Sequence, residues 1–208
     1  MKKILIAAIC SLFVCGALFA QSASVEEFCK KLSVHENMVG NFVQEKTIAK
    51  TNRSLKSTGR FIFCPEGFVW ETQKPFKVSM IVTKKSLIQI GADGKKKIMD
   101  GSSNPTFTSI SSKVGALFSG DAAVLTNDFT VDYKSTNGKW EAVLTPKSKS
   151  VAGVMKSILI SGSESANEAT IEKIVMTESN NNTTGYYLSE QRYPKELSAN
   201  EKAYFAEK

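Results

Sequence analysis

The sequence predicts a mainly β fold with some helix: one curved, barrel-like antiparallel sheet, with a helix before it and a helical segment inserted in its middle. From Val39 onward, apolar residues recur with a period of two in roughly ten short segments. Tight turns rather than helices separate most of these segments, which favours antiparallel pairing of neighbouring strands. A sheet of that size usually curls or closes, because open edges invite aggregation.

The first residues, 1–20, have the pattern of a cleaved secretory signal, and residues 21–208 are predicted to form a single domain. Two lysines precede an apolar run that ends at Phe19, and small residues surround the expected cut after Ala20. The run is short for a membrane span, which needs about 20 apolar residues. A lipid anchor at Cys15 is the alternative, but a bulky valine stands before that cysteine. We therefore expect an exported, soluble protein of the periplasm.

A helix is predicted at the start of the domain. Ser24 and Glu27 fit a capping box, in which the two residues satisfy each other's free backbone donors. Apolar residues then recur at helical spacing, at Val25, Phe28, Cys29 and Leu32. The plain interpretation of this stripe is a face packed on the core.

The segments assigned to strands alternate between apolar and polar residues. Before the inserted segment they are Val39–Ile48, Ser57–Phe63, Phe68–Thr72, Phe76–Thr83, Ser86–Ile90 and Lys95–Met99. After it they are Phe129–Tyr133, Trp140–Thr145, Ile158–Ser161, Ile171–Thr177 and Tyr186–Arg192. The turn over residues 136–139, with Asn-Gly at its centre, is a strong hairpin signal.

Two segments depart from this pattern. Ser109–Leu125 predicts one or two short helices, although each of its two glycines costs about 1 kcal/mol relative to alanine in a helix. Ser198–Lys208 predicts a short helical or irregular tail that ends in an aromatic pair, Tyr204 and Phe205.

The charge of the chain is mildly positive. The formal net charge is +7, and the two lysines of the signal contribute to it. The remaining charges are spread over strands and turns without an arginine cluster, so nucleic acid is not expected as a partner. The positive charge has two other interpretations: it attracts the protein weakly to an anionic membrane surface, or it only keeps the protein soluble.

The chain offers little for catalysis. His35 is its one histidine, and no glycine-rich phosphate loop is present. We therefore expect no catalytic residue, no metal site, no cofactor and no enzymatic activity. Cys29 and Cys64 are the two cysteines after the signal, and in an exported chain they could form a disulfide or remain buried free thiols.

What the sequence offers instead is apolar surface on its strands. Apolar and polar residues alternate along each strand, so the apolar side chains share one face of the sheet. That face could form an ordinary core, or it could line a cavity. Methionine and aromatic side chains suit the adaptable binding of acyl chains. The candidate cavity residues are Phe61, Phe63, Phe68, Trp70, Val78, Met80 and Val82.

Short motifs in a fixed order give the chain a resemblance to a known family. They are Phe42-x-Gln44, Gly59-x-Phe61, Trp70 with Pro75 five residues later, Leu144-Thr145-Pro146-Lys147 and the aromatic tail. In this order and spacing the sequence resembles the LolA-type periplasmic lipoprotein carriers over nearly all of residues 21–208.

The resemblance implies an incomplete, strongly curved antiparallel β-barrel, a half-barrel, closed by a helical lid. It implies a monomer whose apolar interior shuttles the acyl chains of lipoproteins from an inner-membrane ABC lipoprotein-release complex to an outer-membrane acceptor, without nucleotide or metal. An envelope sensor or scaffold that keeps a lipid or glycolipid is the alternative. The expected lid residues are Phe28, Leu32, Leu117 and Phe118.

One position departs from the family pattern. Many members have an arginine that bonds the lid just before the proline preceding the Trp strand, whereas this chain has Cys64 before Pro65. The resemblance therefore puts an arginine latch in doubt and suggests that Cys29 and Cys64 form a disulfide between lid and strand.

Overall fold

A computed structural model of the protein describes residues 25–100 and 121–206, and its main element is one open antiparallel sheet. The eleven strands are β1 (Met38–Ile48), β2 (Arg53–Cys64), β3 (Gly67–Lys74), β4 (Val78–Thr83), β5 (Ser86–Ile90), β6 (Lys96–Asp100), β7 (Phe129–Thr136), β8 (Lys139–Pro146), β9 (Met155–Glu164), β10 (Ala169–Glu178) and β11 (Thr183–Arg192). The predicted mainly β, antiparallel fold is thus confirmed.

Helices are few and short in the part of the chain that the structure describes. They are α1 (residues 25–32), α2 (Ala122–Asp128), α3 (Lys149–Ala152) and α4 (Ala199–Lys202). The sequence did not predict α3, whose N-terminus is capped by the Ser148 hydroxyl accepting from the Val151 amide. Ser24, the expected cap of α1, and the expected lid residues Leu117 and Phe118 lie outside the described residues, as does the signal.

The strands are ordered β6-β5-β4-β3-β2-β1-β11-β10-β9-β8-β7 across the sheet. The first and last strands of the chain therefore meet at the centre, where Phe42 of β1 pairs with Leu188 of β11. The sheet is not closed, because β6 and β7 form its two edges. The segment between β6 and β7, of which α2 is the described part, joins one edge to the other.

Most predicted strands are longer in the structure than in the sequence analysis, and one is shorter. β4 begins at Val78 rather than Phe76, because residues 75–77 form the bend between β3 and β4. The Asn137-Gly138 turn joins β7 to β8 as predicted, and both residues have positive φ, 54° and 73°. That conformation matches the right-handed twist of the paired strands.

The two faces of the sheet differ in what covers them. One contiguous buried cluster contains side chains from α1 and from strands across the whole sheet, so this face is the inside of the curl and is here called the concave face. A smaller cluster lies on the convex face over β1 to β5, where the C-terminal tail packs through Leu197, Tyr204 and Phe205. The concave face, which carries the larger apolar cluster, is therefore the candidate site.

Candidate functional site

The predicted cavity residues all lie on the concave face. Phe61, Phe63, Phe68 and Val82 are buried in its cluster, and Trp70 and Met80 pack against it half-buried. Val78 pairs with Thr72 two positions beyond the Trp70–Met80 pair, which puts it on the same face, and it is 43% exposed. The period of two brings these residues to one face because every second side chain of a strand points the same way.

The concave face is closed at one end and half-exposed towards the other. Along β3, Phe68 is buried and Trp70 is half-buried, and Val78 beyond them on β4 is exposed. Half-buried apolar side chains come from both halves of the sheet: Trp70, Met80, Met99, Val131, Met155, Ile158, Ile174 and Tyr186. A continuous apolar wall that is only partly covered is a surface suited to an apolar ligand.

Aromatic rings at the centre of this wall fix one another. Phe42 stacks on Trp70 with ring centroids 4.0 Å apart, and Tyr186 meets the Trp70 indole edge-on at 5.2 Å. Gly59 makes the arrangement possible, since a Cβ there would stand 2.7 Å from the Phe42 ring and 2.0 Å from the Glu71 carbonyl oxygen. The sequence analysis missed Tyr186 as a wall residue, although its place in an alternating strand was a usable signal.

Helix α1 packs across the closed end of the concave face. The Phe28 ring lies against Tyr133 and Trp140, with centroid distances of 4.6 Å and 4.3 Å, and Leu32 is buried in the same cluster. The Trp140 indole N–H donates to the carbonyl oxygens of Ser163 and Thr170, both at 3.1 Å, which fixes the ring that Phe28 contacts. The predicted apolar stripe of α1 is thus packed on the core.

A polar contact also holds α1 against the strands. The Lys31 ammonium donates to Glu164 at 3.2 Å, and the carboxylate of Glu164 accepts from the Tyr133 hydroxyl at 3.1 Å and from Ser135. Burial opposes ionisation of Glu164, but these hydrogen bonds and the Lys31 charge outweigh it and lower its pKa. Burial, followed by the hydrogen bond to Glu164, raises the pKa of Tyr133 to about 12. We call this group, Lys31, Tyr133, Ser135 and Glu164, the α1 latch.

On the convex face a buried carboxylate anchors the C-terminal tail. Glu71 is 3% exposed and accepts from Arg60 Nε at 3.0 Å, the Tyr204 hydroxyl at 2.9 Å and the Ser79 hydroxyl at 3.3 Å. Burial raises the pKa of Glu71, but the hydrogen bond from Tyr204 and the charge of Arg60 outweigh it, so the pKa lies below its usual value. The tail is thereby fastened outside the curl.

The disulfide suggested by the resemblance is not formed in the structure. Cys29 and Cys64 are both free thiols. Cys29 belongs to the concave cluster, whereas Cys64 packs against the convex cluster and donates to the Gly67 carbonyl oxygen at 3.6 Å. Cys64 follows Phe63 on β2, and consecutive strand residues point to opposite faces, so Cys64 faces away from α1.

The histidine and a surface groove both lie away from the concave wall. His35 contacts Glu168 at 3.1 Å and stacks on Tyr193 at 4.2 Å, next to α1 rather than inside the concave face. A groove of about 380 Å³ lies over β7 to β10 and is lined by residues including Lys139, Trp140 and Glu172. Within residues 25–100 and 121–206, no group of three or more His, Cys, Asp and Glu side chains could hold a metal, and no helix is long and apolar enough to cross a membrane.

Comparison with known proteins agrees with the arrangement. The sequence matches the family described as "Outer membrane lipoprotein carrier protein LolA" over residues 33–201. No curated protein sequence matches the chain.

Three solved structures resemble the fold at low identity. A LolA superfamily protein from Nitrosomonas europaea has 12% identity and a TM-score of 0.44, covering 86% of this chain and 96% of its own. A DUF1329 family protein from Desulfovibrio piger has 11% identity, a TM-score of 0.48 and coverages of 89% and 96%. A domain described as an outer membrane lipoprotein-sorting protein, from Vibrio parahaemolyticus, has 10% identity, a TM-score of 0.42 and coverages of 91% and 97%.

Proposed function

Because the chain belongs to the LolA family of outer membrane lipoprotein carrier proteins, we propose that it is a periplasmic carrier for the acyl chains of lipoproteins. It holds them against the half-exposed concave wall and moves them from the inner to the outer membrane. It receives cargo from an inner-membrane ABC lipoprotein-release complex and gives it to an outer-membrane acceptor. The protein itself does no covalent chemistry in this role.

The observation that carries the proposal is the half-buried apolar wall built from both halves of the sheet. Its side chains, such as Trp70, Met80 and Ile174, are placed where an acyl chain would remove their remaining surface from water. Burying each CH₂ group contributes about 0.8 kcal/mol, so a few chains of ordinary length supply ample affinity. Methionine and aromatic side chains adapt to chains of different length and branching.

Transfer requires the cargo to leave as well as to bind. The concave wall is fixed at its closed end by α1, through Phe28 and the α1 latch. Movement of this one helix would uncover the buried part of the wall, which the apolar stripe of α1, with Phe28 and Leu32, covers and the α1 latch keeps covered. The proposed carrier therefore gives cargo access to the buried part of the wall, and releases it from there, by displacement of α1.

Neighbouring positions on one strand provide a matched test of acyl-chain binding. Ile174 of β10 faces the concave wall, and Val175 beside it faces outward. Ile174→Glu is expected to weaken binding of a fluorescent fatty-acyl probe at least tenfold, because it puts a charge where the chain lies. Val175→Glu is expected to leave the affinity within a factor of two. Equal affinities in both variants would contradict the site.

A transfer assay separates the carrier from a sensor or scaffold that keeps its lipid. The purified protein is loaded with a triacylated lipopeptide, and its delivery to acceptor vesicles is followed. Delivery supports the carrier, whereas stable retention supports the alternative. Mass spectrometry of the ligand that co-purifies from the periplasm identifies the cargo, and N-terminal sequencing of the same sample checks the expected cut after Ala20.

A further inference from the structure

Three turns at one end of the sheet carry a dense positive charge. They join β1 to β2, β3 to β4 and β5 to β6, and alternate turns of an antiparallel meander lie at the same end. We define residues 49–56, 73–78 and 91–98 as the basic end. These three segments contain eight lysine or arginine residues and one acidic residue, Asp93.

Most of these charges face solvent and are not neutralised. Lys95 pairs with Asp93 at 3.2 Å, and Lys77 lies 4.0 Å from Glu71. The other six, Lys50, Arg53, Lys56, Lys74, Lys96 and Lys97, are exposed, and no ion pair joins them to any residue that the structure describes. A cluster of this kind attracts anions over about 10 Å at 0.1 M salt.

Large apolar side chains protrude among these charges. Phe76, between Lys74 and Lys77 in the β3–β4 turn, is 69% exposed, and Leu55 at the start of β2 is 58% exposed. Isolated exposed apolar residues are common, but basic residues around an exposed aromatic ring are the combination found in membrane-surface segments.

The opposite end of the sheet has a different character. The turn from β2 to β3 carries Glu66, the turn from β4 to β5 carries Lys84 and Lys85, and the turn from β9 to β10 carries Glu168. Positive and negative charges are balanced in these turns. The excess positive charge of the turns therefore lies at the basic end only.

The basic end is also the end at which the concave wall becomes exposed. Exposure rises from Phe68, 7%, through Trp70 to Val78, 43%, in the direction of the β3–β4 turn. A lipid that leaves a membrane surface at Phe76 would thus meet the apolar wall within a few residues, without an intervening charged barrier on these strands.

From this juxtaposition we infer that the basic end docks the protein on an anionic lipid bilayer, with the lysines and Arg53 against the phosphate headgroups and Phe76 and Leu55 in the interface. The inference rests on the proposed lipid-carrier function, to which it adds a docking surface and a lipid bilayer as the partner. Each basic side chain near an anionic bilayer contributes roughly fivefold to partitioning. Docking is therefore reversible by salt and by loss of a few charges.

Vesicle co-sedimentation of the mature protein tests the inference. Binding to vesicles of 70% phosphatidylcholine and 30% phosphatidylglycerol at 50 mM salt is expected to exceed binding to pure phosphatidylcholine at least tenfold. It is expected to fall to the phosphatidylcholine level at 0.5 M salt, because the headgroup attraction is then screened. Equal binding to both vesicles, or binding to neither, overturns the inference.

Paired variants locate the contact. The double variant Lys96→Glu/Lys97→Glu and the variant Phe76→Ser are each expected to lower binding to anionic vesicles at least fivefold. Lys84→Glu and Val34→Ser, which change an exposed lysine and a 51% exposed valine away from the basic end, serve as matched controls and are expected to change it less than twofold. Equal loss in the controls overturns the inference.

Binding of the fatty-acyl probe in solution is measured on the same variants. Unchanged probe affinity with lost vesicle binding shows that the docking surface is separate from the cavity. Probe binding without any vesicle binding contradicts the docking surface and leaves the proposed function standing.

Discussion

The ring of Phe42 is stacked on the indole of Trp70 with their centroids 4.0 Å apart, at the centre of the half-exposed concave wall. One tryptophan is thus part of the candidate site, whereas the other, Trp140, is 2% exposed beneath α1. The two tryptophans report on different parts of the molecule.

Ligand binding is therefore expected to change the fluorescence of Trp70. An acyl chain that covers its half-exposed indole should shift the emission to shorter wavelength, because the ring loses contact with water. Trp70→Phe is expected to remove most of the change, and Trp140→Phe to keep it. Titration of each variant with a fatty acid measures this. A change that survives in Trp70→Phe would place the ligand elsewhere.

Lys31→Met is expected to loosen α1 without unfolding the sheet. The variant keeps an apolar stem but leaves the Glu164 carboxylate with hydrogen bonds from Tyr133 and Ser135 only. A partly buried charged hydrogen bond of this kind contributes about 1.5 kcal/mol, so amide hydrogen exchange over residues 25–32 should accelerate roughly tenfold.

Lys30→Met is the control for this variant, because Lys30 is the exposed neighbour on the same helix. Its exchange over residues 25–32 should match that of the unmodified protein within a factor of two. Equal acceleration in both variants, or none in Lys31→Met, would show that the latch does not hold α1.

Acidification is expected to weaken the attachment of the C-terminal tail through Glu71. Its pKa is lower in the folded protein than in the unfolded chain, so the ionised group stabilises the fold above the unfolded pKa of about 4.3. This contribution is lost as the pH falls through the lower, folded pKa. Urea unfolding at pH 7 and near pH 3 should show a smaller pH dependence for Glu71→Gln than for the unmodified protein.

Glu36→Gln is the control, because Glu36 is exposed on the loop after α1. Its pH dependence should match that of the unmodified protein. Glu164 and Glu201 also have lowered pKa values, so part of the acid sensitivity should persist in Glu71→Gln. An unchanged pH dependence in Glu71→Gln would contradict the role of this carboxylate.

The thiols of Cys29 and Cys64 are expected to be free and slow to react. Burial, followed by the charges of Asp121 and Glu26, raises the pKa of Cys29 to about 11. Burial, followed by the hydrogen bond with Glu66, raises the pKa of Cys64 to about 12. Because the thiolate is the reactive form, iodoacetamide at pH 8 should modify the folded protein far more slowly than the urea-unfolded one. Failure to titrate two thiols after unfolding without reductant would contradict this.

The alternation of strands was enough to predict which residues share a face. Phe61, Phe63, Phe68 and Trp70 were grouped correctly because a strand has only two faces and tight turns fix how neighbours pair. The Asn137-Gly138 turn was equally predictable, because few residues other than glycine and asparagine adopt positive φ readily.

The covering of each face was not predictable in the same way. Tyr204 reaches Glu71 across 133 positions of sequence, and no local pattern shows which distant segment packs on which face. The expected disulfide failed for a different reason: it followed a family position, although Phe63 pointing inward already required Cys64 to point outward. The α1 latch was missed because Lys31, Tyr133 and Glu164 come from three separate elements.

Among the strands that the structure describes, β6 and β7 end the sheet without pairing with each other, which gives this wall a property that a closed barrel lacks. The girth of a closed barrel is set by its strand number and by the shear of its hydrogen-bond ladder. Here the sheet ends at two edges, which are connected only by the chain segment between β6 and β7. The sheet can therefore change its radius by bending while the hydrogen bonds between all neighbouring strands, from β6 across to β7, remain intact. For the proposed carrier function, one backbone would thereby fit a slender cargo with one acyl chain or a bulkier one with three, and the width of the gap between the two edges, rather than a set of specific contacts, would set the largest cargo.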